Sequence, residues 1–279
     1  MNPMPNTPAV PLTGIDAHAH VFTRDLDLAA ERRYAPGYDA PLAQYLAHLH
    51  RHGFSHGVLV QPSFLGTDNS YLLSALRQAP ERLRGVVVLA PDTNPVVLER
   101  LAAQGVVGIR LNLVGKAMPD LRDPAWKRFI SRIAEFGWHV ELHRHVDDLP
   151  ELVNQLLPSG ARLVIDHFGR PDAALGVHHL GFAQVLALGA NEQVWLKVSG
   201  LYRLGGTDEQ QLAFAREAMP LLEQRFSAQR LVWGSDWPHT QHEHHMSFPT
   251  AVAQLEALGY SSPLRQALLI DAPRVLFGF

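Results

Sequence analysis

Short apolar runs rich in β-branched residues alternate with helical patterns along the chain, and this alternation decides the class of fold. Strand-type runs are expected at 14–22, 57–62, 83–90, 106–113, 138–145, 162–168, 194–199 and 230–234. Helical patterns follow at 41–52, up to 78 with Asp68 or Asn69 as cap, and after Asn94-Pro95 and Asp123-Pro124, where proline opens a first turn. Others are expected at 208–225, 249–258 and 263–269. Eight strands, each followed by a helix, predict an α/β chain folded as one (β/α)8 TIM barrel with an extra C-terminal helix. The 279 residues suffice for two average domains or one barrel of about 250 residues, and no linker breaks the rhythm. One barrel domain is therefore expected over 14–279. An open doubly wound sheet would ask for a Gly-x-Gly-x-x-Gly turn after the first strand. That turn carries His18-Ala19-His20 instead.

Composition narrows the class further. Hydrophobic residues make up 47% and charged residues 18%, which supports a large core and argues against disorder. The formal net charge of -3, without a long basic run, argues against a nucleic-acid partner. The absence of cysteine removes disulfide and thiol chemistry. Residues 1–13 hold four prolines and no apolar stretch. They are expected to be a disordered lead-in, neither signal peptide nor membrane segment, which fits a cytoplasmic enzyme.

A TIM barrel gathers its chemistry where the strands end. His18 and His20 alternate on the first strand and should both point inward. Asp236 follows the eighth run in Gly234-Ser235-Asp236-Trp237-Pro238 and suits a general base that takes a proton from water. His167 closes the sixth run, while its neighbour Asp166 should point the other way and anchor the scaffold. His143 and His145 end the fifth run with Glu141 deeper on the same face; at least one should enter the cavity. Arg110, inside the fourth strand, needs a fixed anion from protein or substrate. With Lys116 and Arg203 on loops and the hydroxyl of Ser63, it suggests a pocket for carboxylates. The histidine-rich run 239–245 reads as a solvated loop, with His239 alone near the site. The loop 23–39 carries Arg32, Arg33, Tyr34 and Tyr38 and is expected to be a lid, with Tyr38 offering a phenol to the substrate.

His18-Ala19-His20, Asp166-His167-Phe168-Gly169-Arg170-Pro171 and Gly234-Ser235-Asp236-Trp237-Pro238-His239 together resemble the amidohydrolase superfamily. Gln61-Pro62-Ser63-Phe64 with Gly66-Thr67-Asp68-Asn69, and Gly108-Ile109-Arg110-Leu111-Asn112, are more specific and resemble its 2-pyrone-4,6-dicarboxylate lactonase group. The resemblance covers nearly the whole chain. It implies a hydrolase of bacterial lignin-derived aromatic degradation that opens a small anionic lactone and requires no metal. By match of motif, Asp236 would activate water and His18, His20 and His167 would polarise the carbonyl. Ser63, Arg110 and Arg203 would hold the substrate's carboxylates. Two positions depart from the pattern: Lys116 stands where the group has an arginine, and His143 where it has a tyrosine. The second leaves open a rival site holding one zinc or manganese on His18, His20, His143 and Asp236, for hydrolysis or decarboxylation. A carboxylate-binding protein without catalysis is the alternative from another class. The sequence carries no signal of oligomeric state.

Overall fold

Eight apolar runs buried on both faces form the strands of a parallel sheet, as expected where helices cover a sheet. The computed structural model describes residues 10–279. The strands are β1 (Ile15–Ala19), β2 (His56–Val60), β3 (Leu83–Val87), β4 (Val106–Asn112), β5 (His139–His143), β6 (Arg162–Ile165), β7 (Val194–Lys197) and β8 (Leu231–Val232). They pair in chain order, each parallel to the next. The ring closes where Ala17 N donates to Trp233 O at 3.0 Å and Ala19 bridges Trp237. The fold is a (β/α)8 barrel.

The helices are α1 (Leu42–Arg51), α2 (Ser70–Gln78), α3 (Pro95–Ala102), α4 (Pro124–Glu135), α5 (Leu149–Leu156), α6 (Leu180–Leu188), α7 (Asp208–Phe226), α8 (Phe248–Ala257), α9 (Ser262–Gln266) and α10 (Ala272–Phe277). Asn94 and Asp123 cap α3 and α4 through their side chains, with proline at the first turn of each. At α2 the side chain of Asn69 makes no cap bond; Asp68 Oδ1 instead accepts from Ser70 N at 3.0 Å. The closing helix expected at 263–269 divides: a π-type turn at Ala267–Asp271 separates α9 from α10.

The interior has two layers. Ile15, Ala17, Val58, Val60, Val86, Val164, Trp195 and Val232 fill its lower part, and Ala272, Leu276 and Phe277 of α10 pack against them. Above lie His18, Arg110, Glu141 and Lys197, all buried. The lead-in expected at 1–13 lies outside the described residues up to position 9. Beyond it, Leu12 packs on the lower layer and Thr13 bonds to Ser55 Oγ and Gly53 O. No helix of the described residues is long and apolar enough to cross a membrane.

Candidate active site

The register of β1 against β2 slips between Asp16 and Ala19. Such a bulge breaks the alternation of faces. Asp16 therefore reaches outward to the Tyr45 hydroxyl of α1 at 3.1 Å, while Ala17 joins the barrel interior and His18 and His20 both turn into it. His20 Nδ1 donates to Val60 O at 2.7 Å, since a carbonyl can only accept, so the neutral ring presents a lone pair at Nε2. His18 is the reverse case. Its Nδ1 lies 3.0 Å from Lys197 Nζ, an ammonium with donors only, so Nδ1 accepts and Nε2 carries the proton. His18 Nε2 then donates to His20 Nε2 across 3.3 Å. Burial, then the Lys197 charge, holds His18 well below the usual histidine range, so it stays neutral. His20 in this state offers the site no proton, which corrects the expectation that it polarises a carbonyl.

Asp236 is wholly buried just past β8. Its Oδ2 accepts from the Tyr202 hydroxyl at 2.7 Å and from Arg203 Nε. Its Oδ1 has no hydrogen-bond partner and faces His20 Nε2 at 3.5 Å and His18 Nε2 at 3.7 Å. Burial would raise this carboxyl, but Arg203 and the surrounding histidines outweigh it and hold it well below the usual range. The group is an ionised carboxylate with one free oxygen. His167 completes the cluster, with Nδ1 3.0 Å from Ser199 Oγ and a free Nε2 3.7 Å from Asp236 Oδ2. Burial drives its pKa down to about 3 against the pull of Asp236.

Above this floor opens a cavity of about 300 Å³, lined by residues after almost every strand: His20, Ser63, Arg110, His143, Arg170, Arg203 and the loop 240–242. His143 is inside and His145 is exposed beyond the end of β5. Arg110 finds its anion within the protein: Nε and Nη2 bond to Asp166 Oδ2 at 3.0 and 2.9 Å. Asp166 therefore does not point outward as expected. β6 ends at Ile165, and His167 adopts a φ of 51°, so pleated alternation no longer governs its direction.

Three other expectations need correction. Lys116 is exposed and absent from the lining; Arg144 ties down its loop by donating to Leu113 O and, at 2.6 Å, to Lys116 O. Tyr38 packs on Phe22 and lines a separate cleft, and Tyr34 of the same loop takes the place at the cavity, its hydroxyl donating to Glu243 at 2.6 Å. His239 stays next to the site, its N–H donating to Asp236 O at 2.8 Å and its ring 5.8 Å from Tyr202, but it lines that second cleft and not the cavity. Arg33 and Arg170 are the lining cations that sequence reasoning did not assign. Neither has an acidic partner among the described residues. Arg33 Nη2 bonds to Asn112 Oδ1 at 3.2 Å, and Arg170 Nη1 lies 3.1 Å from His143 Nε2. His143 Nδ1 already faces Arg110 Nη2 at 3.0 Å, and a neutral imidazole can accept at only one nitrogen. One of the two arginines thus lacks an acceptor there. Burial, and then Arg203 and Arg33, lower Arg170 to about 10.

The family model described as amidohydrolase matches residues 15–279. The chain belongs to the amidohydrolase family. It is 32% identical to a 2-pyrone-4,6-dicarboxylate hydrolase of Comamonas testosteroni, over 96% of this chain and 91% of that one. A Pseudomonas putida protein provisionally described as a 2-pyrone-4,6-dicarboxylic acid hydrolase is 60% identical, with a TM-score of 0.92 over 96% of this chain and 98% of that one. An Acinetobacter baumannii protein of the same provisional description, solved with citric acid bound, is 40% identical with a TM-score of 0.92, over 96% of this chain and all (100%) of that one.

For this amidohydrolase the rival single-metal site can be tested on its donors. His18, His167 and Asp236 bring ligand atoms within 4.8 Å of one another, as do His18, Glu141 and Asp166. His143 is in neither group, its ring nitrogens both facing guanidinium groups. His18 carries its proton on Nε2, and a ligating nitrogen needs a lone pair. In the second group the Lys197 ammonium lies among the three donors, 2.5 Å from Glu141 Oε1. The four residues His18, His20, His143 and Asp236 are thus not brought together as one ligand set, since His20 and His143 belong to neither group.

Proposed function

We propose that this amidohydrolase opens a lactone bearing two carboxylates, 2-pyrone-4,6-dicarboxylate or a close analogue, without a required metal. The observation that carries the reading is the pair of uncompensated guanidinium groups, Arg33 and Arg170, that line the cavity together with His20, whose Nε2 faces the free Oδ1 of Asp236. Guanidinium groups bind carboxylates in bidentate fashion, and two of them match a dianion. Arg203 and Ser63 add donors at the same wall. In the reaction, Asp236 Oδ1 takes a proton from water while the water oxygen adds to the lactone carbonyl. His18 Nε2–H leaves His20 Nε2 and donates to the developing oxyanion, with His167 beside it. One such donor is typically worth roughly 3–4 kcal/mol. The ring C–O bond then breaks, and Asp236 returns its proton to the departing ring oxygen. The product carries three carboxylates, as does the citric acid in the Acinetobacter relative. A cytoplasmic setting and a place in aromatic-compound breakdown belong to the same proposal.

Loss of pyrone absorbance with chelator-treated, metal-assayed protein tests this. Turnover is expected without added metal, and Asp236→Asn should lower kcat at least 1,000-fold while substrate still binds, the scale seen when a group acting only in the transition state is removed. Turnover appearing only after zinc or manganese is added would overturn the metal-free route.

A further inference from the structure

The mechanism above leaves a fully buried cation without a task. Lys197, the last residue of β7, has no exposed surface and lies under the histidines. Its Nζ stands 2.5 Å from Glu141 Oε1, 3.4 Å from Asp166 Oδ1 and 3.0 Å from His18 Nδ1. Glu141 neutralises this ammonium, Asp166 being shared with Arg110, and a neutral imidazole adds no charge, so the third contact calls for a separate account. The alternative partner for His18 Nδ1 is Asp166 Oδ1 at 3.6 Å, beyond hydrogen-bond reach. A proton on Nδ1 would point at three N–H donors, whereas a lone pair there is satisfied.

We infer that Lys197 is a positioning residue that fixes His18 as its Nε2–H tautomer, a donor that rests on His20 Nε2 and passes to the reacting carbonyl when substrate binds. The chain of donors runs Lys197 to His18 to His20 to the Val60 carbonyl, each acceptor filled in one sense only. The same lysine withholds from a cation both His18 Nδ1 and the two carboxylates around it. Without Lys197, the Nδ1 proton would be the favoured one, facing Glu141 and Asp166, and His18 Nε2 would offer a lone pair where the oxyanion needs a donor.

The consequence for rate rests on the lactone-hydrolase reading; the tautomer does not. Long-range proton–nitrogen correlation spectra of histidine-labelled protein, with His18→Asn for assignment, read the tautomer directly. The expected result is Nε2–H for His18 in the unaltered chain and Nδ1–H in Lys197→Met, whose kcat falls about 100-fold with KM within about twofold. Lys197→Arg, which keeps donors at this position, should restore the Nε2–H pattern. If Lys197→Met does not fold, Lys197→Met with Glu141→Gln removes the unpaired carboxylate and serves the same test. A proton on Nδ1 in the unaltered chain, retention of Nε2–H without the lysine, or a switched tautomer with unchanged kcat would each overturn the inference. Failure of the pyrone as substrate would overturn the functional reading alone, leaving the spectra to decide the tautomer.

Discussion

Arg33 and Arg170 carry positive charge into a cavity that supplies neither with a carboxylate, and removing either should weaken substrate binding before it slows chemistry. A hydrogen bond to a charged group contributes about 1.5–3 kcal/mol. Arg33→Ala and Arg170→Ala should therefore each raise KM roughly 10- to 100-fold, with a smaller change in kcat. Lys116→Ala should leave both constants unchanged, because that side chain is exposed outside the cavity. Steady-state kinetics on the three variants checks this; a Lys116 effect equal to that of Arg33 would contradict the assignment. The contrast also marks what the sequence could carry. Arg110 and His167 could be placed toward the mouth because each sits in or next to a strand, where direction is limited, whereas the sequence did not separate His143 from His145. Arg33 and Arg170 lie on irregular backbone, and Arg170 has a φ of 54°. Lys116 misled because the path of its loop is set by Arg144, 28 residues away.

At the scale of elements, the decisive join is the seam between β1 and the two-residue β8. It is held by Asp236 N donating to His18 O at 2.8 Å, His20 N to Trp237 O at 2.7 Å, and Asp16 accepting from Ser235 N and Oγ at 2.7 and 2.6 Å. This seam sets the distance between the base and its histidines. Gly234 lies against it so closely that a Cβ would meet His18 N at 2.5 Å and His18 Cβ at 2.6 Å. Backbone cannot yield there as a flexible side chain can. Gly234→Ala should destabilise the fold by roughly 1–3 kcal/mol, the range for overpacking, and lower kcat by separating His18 from Asp236. Urea unfolding at unchanged slope, together with kinetics, measures both; stability and rate equal to the parent would show that the seam is slack. The alternation of strands and helices made the barrel legible, and the His-x-His spacing correctly predicted that both rings point inward. The slip in β1 was not legible, because it is imposed by neighbouring strands and leaves no mark in Asp16-Ala17-His18.

For the whole molecule, the same burial that prepares the site makes the fold sensitive to acid. His18 and His143 are held well below the usual histidine range by burial first, and His167 and His239 are lowered to about 3 and about 4. A histidine with a depressed folded pKa binds its proton only in the unfolded chain between that value and about 6.5, so stability falls as pH drops through this window. Each such group contributes at most about 1.4 kcal/mol per pH unit. Asp16 works in the opposite sense: burial raises it to about 6, so its penalty at neutral pH is relieved on acidification. Its hydrogen bonds from Ser235, His18 and Tyr45 only partly offset that burial. Four histidines against one aspartate leave a net loss of roughly 4 kcal/mol between pH 7 and pH 5.5. That is a substantial share of the 5–15 kcal/mol typical of a folded domain. The chemistry should behave differently. Asp236 stays ionised and His18, His143 and His167 stay neutral over the same interval, so none of these four groups should give kcat/KM an inflexion between pH 7 and pH 5.5 in protein that remains folded. Denaturant unfolding at several pH values, set beside initial rates, separates the two. A bell-shaped rate profile whose inflexion near 6.5 belongs to His18, His143 or His167, at constant stability, would contradict both halves of the argument.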